Sequence, residues 1–259
     1  MAATADRVPC VYIENGRVAD YDPSAPISVS YQHNFEGEPT GRSNPELLTK
    51  LQPSHGHDMS IVNGISRIGY MKGGGRALWR DEDIADSIMS HAISFIDSHR
   101  SSPFFMYLCT NDVHVPRMPN ERFRGKSPMG LRGETILQFD WSVRQLVTAL
   151  RERGIDRNTL LIITSDNGPV LDDGYRNQAE ELCGDHKPGG PFRGGKYSAF
   201  EAGSAVPFIV YWPDGASSGV STDALASLID VPASLSSLVG TQPRNGEAPD
   251  SQDQLSVWL

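Results

Sequence analysis

Three scarcities narrow the class of protein before any motif is considered. The sequence has three cysteines in 259 residues. Cys10, Cys109 and Cys183 form no C-x-x-C pair, which indicates neither a disulfide framework nor a zinc cluster. The apolar run at 104–109 is far shorter than the roughly 20 residues that a membrane-spanning helix needs. The formal net charge is −9, so the chain lacks the basic surface of a nucleic-acid-binding protein. Any anionic ligand would have to be bound by a few local cations.

What is present divides into two predicted parts. Residues 1–80 form an irregular, loop-rich segment that is rich in Pro, Gly, Asn and Ser. A long loop in its second half carries His55 and His57, and loops of such length are usually functional or poorly ordered without their neighbours. The i, i+2 spacing of these histidines suits a metal, but with no thiol or helix nearby a structural or solvated role is favoured.

Regular structure is predicted from residue 81 to 259. Apolar residues that recur every three or four positions, followed by glycine, indicate helices, and short apolar runs indicate strands. Helices that alternate with buried strands predict an α/β fold, with a mostly parallel or mixed sheet sandwiched by helices. The predicted helices cover 81–99, 133–153 and 223–239, and the predicted strands cover 104–108, 160–164 and 208–212.

Asp166 and Asn167 directly follow the apolar run at 160–163. In open parallel sheets, ligands gather beyond the carboxyl ends of the strands. A carboxylate and an amide oxygen are both suitable ligands for Ca²⁺ or Mg²⁺. The alternative is an Asx-turn, because D-N-G is a good turn sequence after any strand, and these residues alone favour the turn.

His114 and the R-G-G-K sequence at 193–196 supply further polar candidates. His114 follows the strand predicted at 104–108, so it belongs to the same kind of strand end and could bind an anion or protonate a leaving group. The glycines beside Arg193 and Lys196 let backbone N–H groups approach an oxyanion, and the lysine adds a point charge. Each residue taken singly fits a solvated loop side chain equally well.

These motifs, in this order, resemble the sulfatase (arylsulfatase-type) family of the alkaline-phosphatase superfamily. The matching stretches are P-F-F-M-Y-L-x-x-x-x-x-H-x-P at 103–116, T-L-L-I-I-T-S-D-N-G-P at 159–169, R-G-G-K at 193–196 and F-E-A-G-x-x-V-P-F-I-V-Y-W-P at 200–213. Weaker likeness in 11–16 and 63–72 extends the resemblance over nearly the whole chain. An alkaline-phosphatase-like α/β fold is therefore expected.

The resemblance also implies roles for individual residues. Asp166 and Asn167 match two ligands of the family's divalent cation, usually Ca²⁺. His114 matches the histidine that contacts the sulfate ester, and Lys196 matches the lysine that binds the sulfate oxygens, with Arg193 as a further cation at the substrate. The implied substrate is a sulfate-ester small molecule or a sulfated glycan.

Several family features have no counterpart in the sequence. No cysteine or serine stands in the C-x-P-S-R or S-x-P-S-R context whose first residue becomes formylglycine, and no opening strand carries two aspartates. Ala205 stands where arginine is common. The resemblance thus implies an incomplete, truncated domain with a weak or absent Ca²⁺ site, no formylglycine nucleophile and no turnover by this chain alone. Self-association through an uncovered sheet is expected.

Two other functions are left open by these residues. One is hydrolysis of phosphate or phosphonate esters by the same superfamily fold. The other is a non-catalytic protein that binds anionic glycans or a partner through the remaining cations. Compartment is also open, because 1–10 lacks the basic start and apolar core of a signal peptide, whereas family members are often exported or lysosomal.

Overall fold

The computed structural model describes residues 4–259, which separate into two compact units. Unit 1 consists of the described part of 1–149 together with Asn167–Ala205, and unit 2 consists of Leu150–Asp166 and Val206–Leu259. The division predicted at residue 80, between a loop-rich segment and an α/β part, stays a prediction.

The strands are short and pair in twos. In unit 1, β1 (Ile13–Glu14) pairs with β2 (Arg17–Val18), β3 (Ser28–Ser30) with β6 (Tyr70–Lys72), and β4 (Ile61–Val62) with β5 (Ile65–Ser66). In unit 2, β7 (Leu161–Thr164) pairs with β8 (Phe208–Tyr211). All four pairs are antiparallel. Among the described residues, parallel contacts are the isolated bridges Arg7–Ile68 and Leu51–Ile65.

Two long helices agree with the sequence pattern. Helix α1 (Ile84–His99) follows a short 3-10 turn at Asp81–Asp83, and its isoleucines at 84, 88 and 96 are buried. Full burial of one such side chain stabilises the fold by about 2 kcal/mol. Helix α2 (Gly130–Glu152) lies close to its expected range, and Gly154, at φ +67°, follows its end. Within residues 4–259, no helix combines the length and the apolar character needed to cross a membrane.

The third helix is much shorter than the sequence pattern predicts. Helix α3 covers Val231–Leu238, after a 3-10 turn at Leu228–Asp230. Ser227 and Asp230 form a capping box that starts the turn there, so the expected start at residue 223 is wrong. The Ser227 hydroxyl accepts from the backbone N–H of Ile229 at 3.4 Å, and the Asp230 carboxylate accepts from the backbone N–H of Ser227 at 2.9 Å. These two bonds fix where the chain enters the helix. A final short helix, α4 (Leu255–Trp258), places Trp258 with its ring 5.2 Å from that of Phe208.

The segment predicted as a buried strand at 104–108 is not a strand in the structure. Its residues alternate between half-buried and exposed. Phe105 and Tyr107 are 72% and 84% exposed. The prediction of a buried strand at this position is therefore wrong. Self-association through this apolar surface stays a prediction.

The main core of unit 1 surrounds a buried ion pair. Val8, Cys10, Met71 and Trp79 pack with the first turns of α1 in one apolar cluster. Arg67 is fully buried, and its two terminal nitrogens donate to Asp81 at 2.9 and 2.8 Å. They also donate to the carbonyl oxygens of Ala5 at 2.7 Å and Val62 at 3.0 Å. These bonds link the N-terminal segment, the strand pair β4–β5 and the start of α1.

We expect Asp81→Asn to lower the free energy of unfolding by about 3–5 kcal/mol, because it leaves the Arg67 charge buried without its counter-ion. Urea denaturation followed by circular dichroism measures the change. The matched control is Arg42→Ala, which breaks the Arg42–Asp58 pair at a side chain that is 74% exposed. That change should cost less than about 1 kcal/mol. Equal costs at both sites would contradict the structural role of the buried pair.

Candidate functional site

The R-G-G-K loop is joined through its backbone to the turn that follows Asn167. Gly168 N–H donates to Gly203 O at 3.0 Å, and Lys196 N–H donates to Pro169 O at 2.9 Å. A β-carbon at position 168 would lie 1.6 Å from the Ala202 oxygen, so only glycine permits this approach. Two segments far apart in the sequence are thereby held side by side, and the Lys196 side chain starts from a fixed backbone position.

Lys196 brings together His114 and an aspartate that the motifs did not single out. Its Nζ lies 3.1 Å from Asp173 Oδ2 and 3.2 Å from His114 Nε2. Tyr197 Oη donates to the other Asp173 oxygen at 2.9 Å. Asp173 and Lys196 are largely buried, whereas His114 remains more open. We call His114, Asp173, Lys196 and Tyr197 the lysine cluster.

The hydrogen bonds of the lysine cluster define its charge state. Burial alone would raise the pKa of Asp173, but hydrogen bonds from Lys196 and Tyr197 outweigh it and lower the pKa. Burial alone would lower the pKa of Lys196, but its bond to Asp173 raises it. The two groups are therefore an ion pair. His114 Nδ1 lies 2.8 Å from the Val115 oxygen, so this geometry assigns the proton to Nδ1 and leaves Nε2 to accept from Lys196.

A tight turn displays the Tyr197 ring beside the lysine cluster. Ser198 N–H donates to Gly195 O at 3.1 Å, so Lys196 and Tyr197 are the central residues of a four-residue turn. Tyr197 has φ +73°, a value that such turns normally reserve for glycine at this position. Its ring centroid lies 5.1 Å from Lys196 Nζ, and the residue is 80% exposed.

Arg117 fixes the loop that leads to Asp173. The guanidinium is buried and donates to the carbonyl oxygens of Val170 at 2.9 Å and Leu171 at 2.8 Å, and to Asn177 Oδ1 at 3.2 Å. Burial, together with the nearby charge of Arg132, lowers its pKa to about 10. This loop has no helix or strand of its own. Its carbonyl oxygens are therefore bound by the guanidinium and not by the backbone N–H groups of a helix or sheet.

A second buried ion pair supports the same loop from behind. His57 Nε2 lies 3.4 Å from Asp6 Oδ2, and Nδ1 lies 2.9 Å from the His55 oxygen. Because both ring nitrogens face acceptors, the geometry fits an imidazolium. Burial alone would lower the pKa of His57, but the bonds to Asp6 and His55 raise it. The ring packs against Tyr175, with centroids 4.8 Å apart. The structural role favoured by the sequence thus describes His57.

Asp166 belongs to unit 2, and Asn167, the next residue, belongs to unit 1. Asp166 is therefore described separately from the lysine cluster. The Asp166 carboxylate is exposed and accepts from Ser165 Oγ at 3.5 Å. Asn167 Nδ2 donates to the Gly168 oxygen at 2.9 Å. Ca²⁺ takes six to eight oxygen ligands. Within residues 4–259 there is no group of three or more His, Cys, Asp or Glu residues that could hold a metal, so these two residues fit Ca²⁺ only in part.

Arg193 and Asp112, two further polar residues of the motifs, have other contacts. The Arg193 guanidinium stacks on the Phe200 ring, 3.9 Å from its centroid, and its predicted contact with substrate stays a prediction. Burial raises the pKa of Asp112 to about 6, and both carboxylate oxygens accept from Gln138 Nε2 at 3.1 Å. This bond ties the segment before His114 to α2.

Sequence reasoning therefore found His114 and Lys196 but missed Asp173, Tyr197 and Arg117. The signal for Asp173 was the D-D-G sequence at 172–174, two acidic residues before a glycine between the two recognised motifs. Arg117 follows H-V-P directly, and Tyr197 follows the lysine. Neither carries a distinctive pattern, because their roles depend on contacts with residues far away in the chain.

Comparison with known proteins identifies relatives of this chain. Residues 31–241 match the family model described as Sulfatase. A curated protein of Bacteroides thetaiotaomicron, N-acetylgalactosamine-6-O-sulfatase, is 53% identical over 99% of this chain and 50% of its own length. Rat N-acetylgalactosamine-6-sulfatase is 30% identical over 69% of this chain and 33% of its own length. The chain therefore spans about half or less of the length of these relatives.

Solved structures give the same result for the fold. A Bacteroides thetaiotaomicron protein, solved in work on the metabolism of multiple glycosaminoglycans, superposes with a TM-score of 0.95 at 54% identity, covering 98% of this chain and 52% of that one. The PsFucS1 sulfatase from Pseudoalteromonas superposes with a TM-score of 0.51 at 28% identity, covering 62% of this chain and 30% of that one. The expected alkaline-phosphatase-like α/β class, present as an incomplete domain, is confirmed.

Gly174→Ala should lower the free energy of unfolding by roughly 2–4 kcal/mol, because overpacking adds to an unfavourable backbone angle. A β-carbon there would lie 1.9 Å from His57 Nδ1, and φ is +92°. The matched control is Gly184→Ala, which has φ +58° and nothing within 4 Å of the added carbon, so that it carries the backbone cost of about 1 kcal/mol alone. Thermal and urea unfolding compare the two variants. If both variants lost the same free energy of unfolding, the close contact between His57 and Gly174 would be contradicted.

The contribution of His57 and Asp6 to stability should depend on pH in two directions. The folded pKa of His57 lies above its usual 6.5, so the stabilisation is complete below pH 6.5 and is lost as the pH rises through the folded value. Burial alone would raise the pKa of Asp6, but the hydrogen bond from His57 helps to hold it below its usual 3.8. This contribution is therefore lost as the pH falls through that lower value. The difference in Tm between wild type and His57→Gln should be largest between pH 3.8 and 6.5, and a pH-independent difference would contradict the ion pair.

Proposed function

Because the chain belongs to the sulfatase family, we propose that the lysine cluster is the anion-binding part of a sulfate-ester hydrolase site. The observation that carries this proposal is the meeting of His114 and Lys196, with 3.2 Å between Nε2 and Nζ. These two residues come from separate motifs, and both were expected to contact a sulfate ester. Their convergence favours one anion site over two unrelated surface side chains.

The hydrogen-bond inventory of Lys196 supports this role. An ammonium group has three donors, and Lys196 donates to Asp173 Oδ2 and His114 Nε2, while a hydrogen bond with Tyr197 also helps to raise its pKa. A sulfate oxygen would accept from this ammonium group, whose position is fixed by its bonds to Asp173 and His114. Charge on the sulfate oxygens grows as the ester bond breaks, and a fixed cation stabilises that charge better than a mobile one. His114 would bind the ester or supply a proton to the leaving oxygen once Nε2, which faces the same place, also carries a proton.

We propose a sulfated glycan as the substrate, with the ester on an amino sugar of the N-acetylgalactosamine-6-sulfate type. Support comes from the relative of that name, which is 53% identical over 99% of this chain. The small-molecule sulfate esters expected from the motifs would bind through the same cation. Because the chain spans half of that relative's length, the activity of the whole protein is part of the proposal.

Calcium and formylglycine belong to the proposal for the complete enzyme. A divalent cation would neutralise sulfate charge, with Asp166 and Asn167 as two of its ligands. They are too few for a Ca²⁺ site by themselves. No residue of this sequence stands in the context that yields formylglycine. We therefore infer that the chain as it stands binds the anion and does not turn over the ester.

Inorganic sulfate should bind the 259-residue chain and shift the NMR signals of the His114 ring. Lys196→Gln should weaken this binding roughly tenfold or more, because a hydrogen bond to a charged group contributes about 1.5–3 kcal/mol and the Asp173 charge is left unpaired beside the anion. The matched control is Lys126→Gln, which removes an exposed lysine that precedes α2 and should leave the affinity unchanged.

Two results would contradict this function. If wild type and Lys196→Gln bound sulfate with equal affinity, Lys196 would not be part of an anion site. Rapid hydrolysis of an aryl sulfate by the purified chain would contradict the inference that it binds without turnover.

A further inference from the structure

We propose that Tyr197 is the platform on which the sugar ring of a sulfated glycan rests while Lys196 holds the sulfate group. This inference rests on the proposed function, because it assigns the sugar-contacting residue of the same site. It concerns the choice of substrate and not the chemistry at sulfur.

The first observation is that the Tyr197 ring is both exposed and fixed. The residue is 80% exposed, yet its hydroxyl donates to Asp173 Oδ1 at 2.9 Å. Its backbone is closed into a turn by the bond from Ser198 N–H to Gly195 O. An aromatic ring fixed at both ends loses little conformational freedom when a ligand covers it, and such preorganisation favours binding.

The second observation is distance. Lys196 Nζ lies 5.1 Å from the centroid of the Tyr197 ring. A sulfate oxygen bound by this ammonium would lie about 2.8 Å from Nζ. The carbon that carries the ester is only two bonds beyond the sulfur, so a sugar attached there reaches the ring. The sulfate group and the sugar can therefore be bound by neighbouring residues of one turn.

The third observation is the backbone of Tyr197. Its φ of +73° lies in the region where glycine is favoured at this position of a turn. The same loop has two glycines, Gly194 and Gly195, directly before Lys196. A side chain that is kept at a strained position, exposed and beside a charged cluster, points to function rather than to folding.

The chemistry of the surroundings favours a sugar over an apolar alcohol. A pyranose ring has an apolar C–H face and a polar rim, and tyrosine likewise combines a broad apolar face with a polar tip. Apolar ligands are usually enclosed in pockets lined mainly by hydrophobic side chains. The Tyr197 ring is open and adjoins the charged groups of Lys196 and Asp173, which suit the hydroxyl groups of a sugar.

The test compares two ligands on the 259-residue chain: N-acetylgalactosamine 6-sulfate, which has a sugar ring, and inorganic sulfate, which has none. NMR titration gives both affinities. Relative to Tyr197→Phe, Tyr197→Gly should weaken binding of the sugar sulfate roughly a further tenfold and should bind inorganic sulfate equally well, because both variants lack the hydroxyl bond to Asp173. Tyr197→Phe keeps the ring and loses only the hydroxyl, so any effect of the lost bond to Asp173 should appear with both ligands alike. Tyr21→Ala, which removes another exposed tyrosine, should change neither affinity.

The outcomes separate this inference from the proposed function. If wild type binds inorganic sulfate, and Tyr197→Gly weakens both ligands equally or neither relative to Tyr197→Phe, the role of the Tyr197 ring is wrong and the proposed anion site is unaffected. If wild type binds neither ligand, both proposals are wrong. Glycine suits φ +73°, so the Tm of Tyr197→Gly should not fall. Should that variant fail to fold, Tyr197→Asn, which also tolerates this backbone region, replaces it with the same expected selectivity.

Discussion

The ion pair between Asp173 and Lys196 is the interaction on which the rest of the candidate site depends. It keeps an ammonium charge in a largely buried place, where burial alone would favour the neutral amine. It also directs that charge toward His114 and holds the Tyr197 hydroxyl. A carboxylate beside an anion site repels the ligand. Its presence is understandable because a lysine without it would be both less charged and less well directed.

The supports of Asp173 are unusual in being cationic. Arg117 lies on one side of the loop and the His57 imidazolium lies behind Gly174, and each is held by backbone oxygens as well as by charge. In a chain with a net charge of −9, these buried cations also offset the acidic residues around them. The site is thus built by local charge balance within an acidic protein.

The sequence predicted some parts of this arrangement well and others poorly. The four-residue spacing of Ile84, Ile88, Ala92 and Ile96 predicts α1 correctly, because an amphipathic helix is a local pattern. The motif at 103–116 and the R-G-G-K motif led to His114 and Lys196 through resemblance to a family. The short apolar run at 104–108 predicts a buried strand that the structure does not have, because so short a run does not by itself determine the element or its burial. Asp173 was missed because its role arises only from contacts across the fold.

The loop at 170–177 has a consequence for how the protein assembles. Arg117 and the carbonyl oxygen of Leu171 are 54 positions apart in the chain, and His57 approaches the same loop from a still more distant segment. Closing such long stretches of chain costs entropy before any contact stabilises them. The loop has no regular structure that could form early. Lys196 therefore acquires its carboxylate partner only when unit 1 as a whole has folded, and a partly folded chain would contain the motif residues without the site.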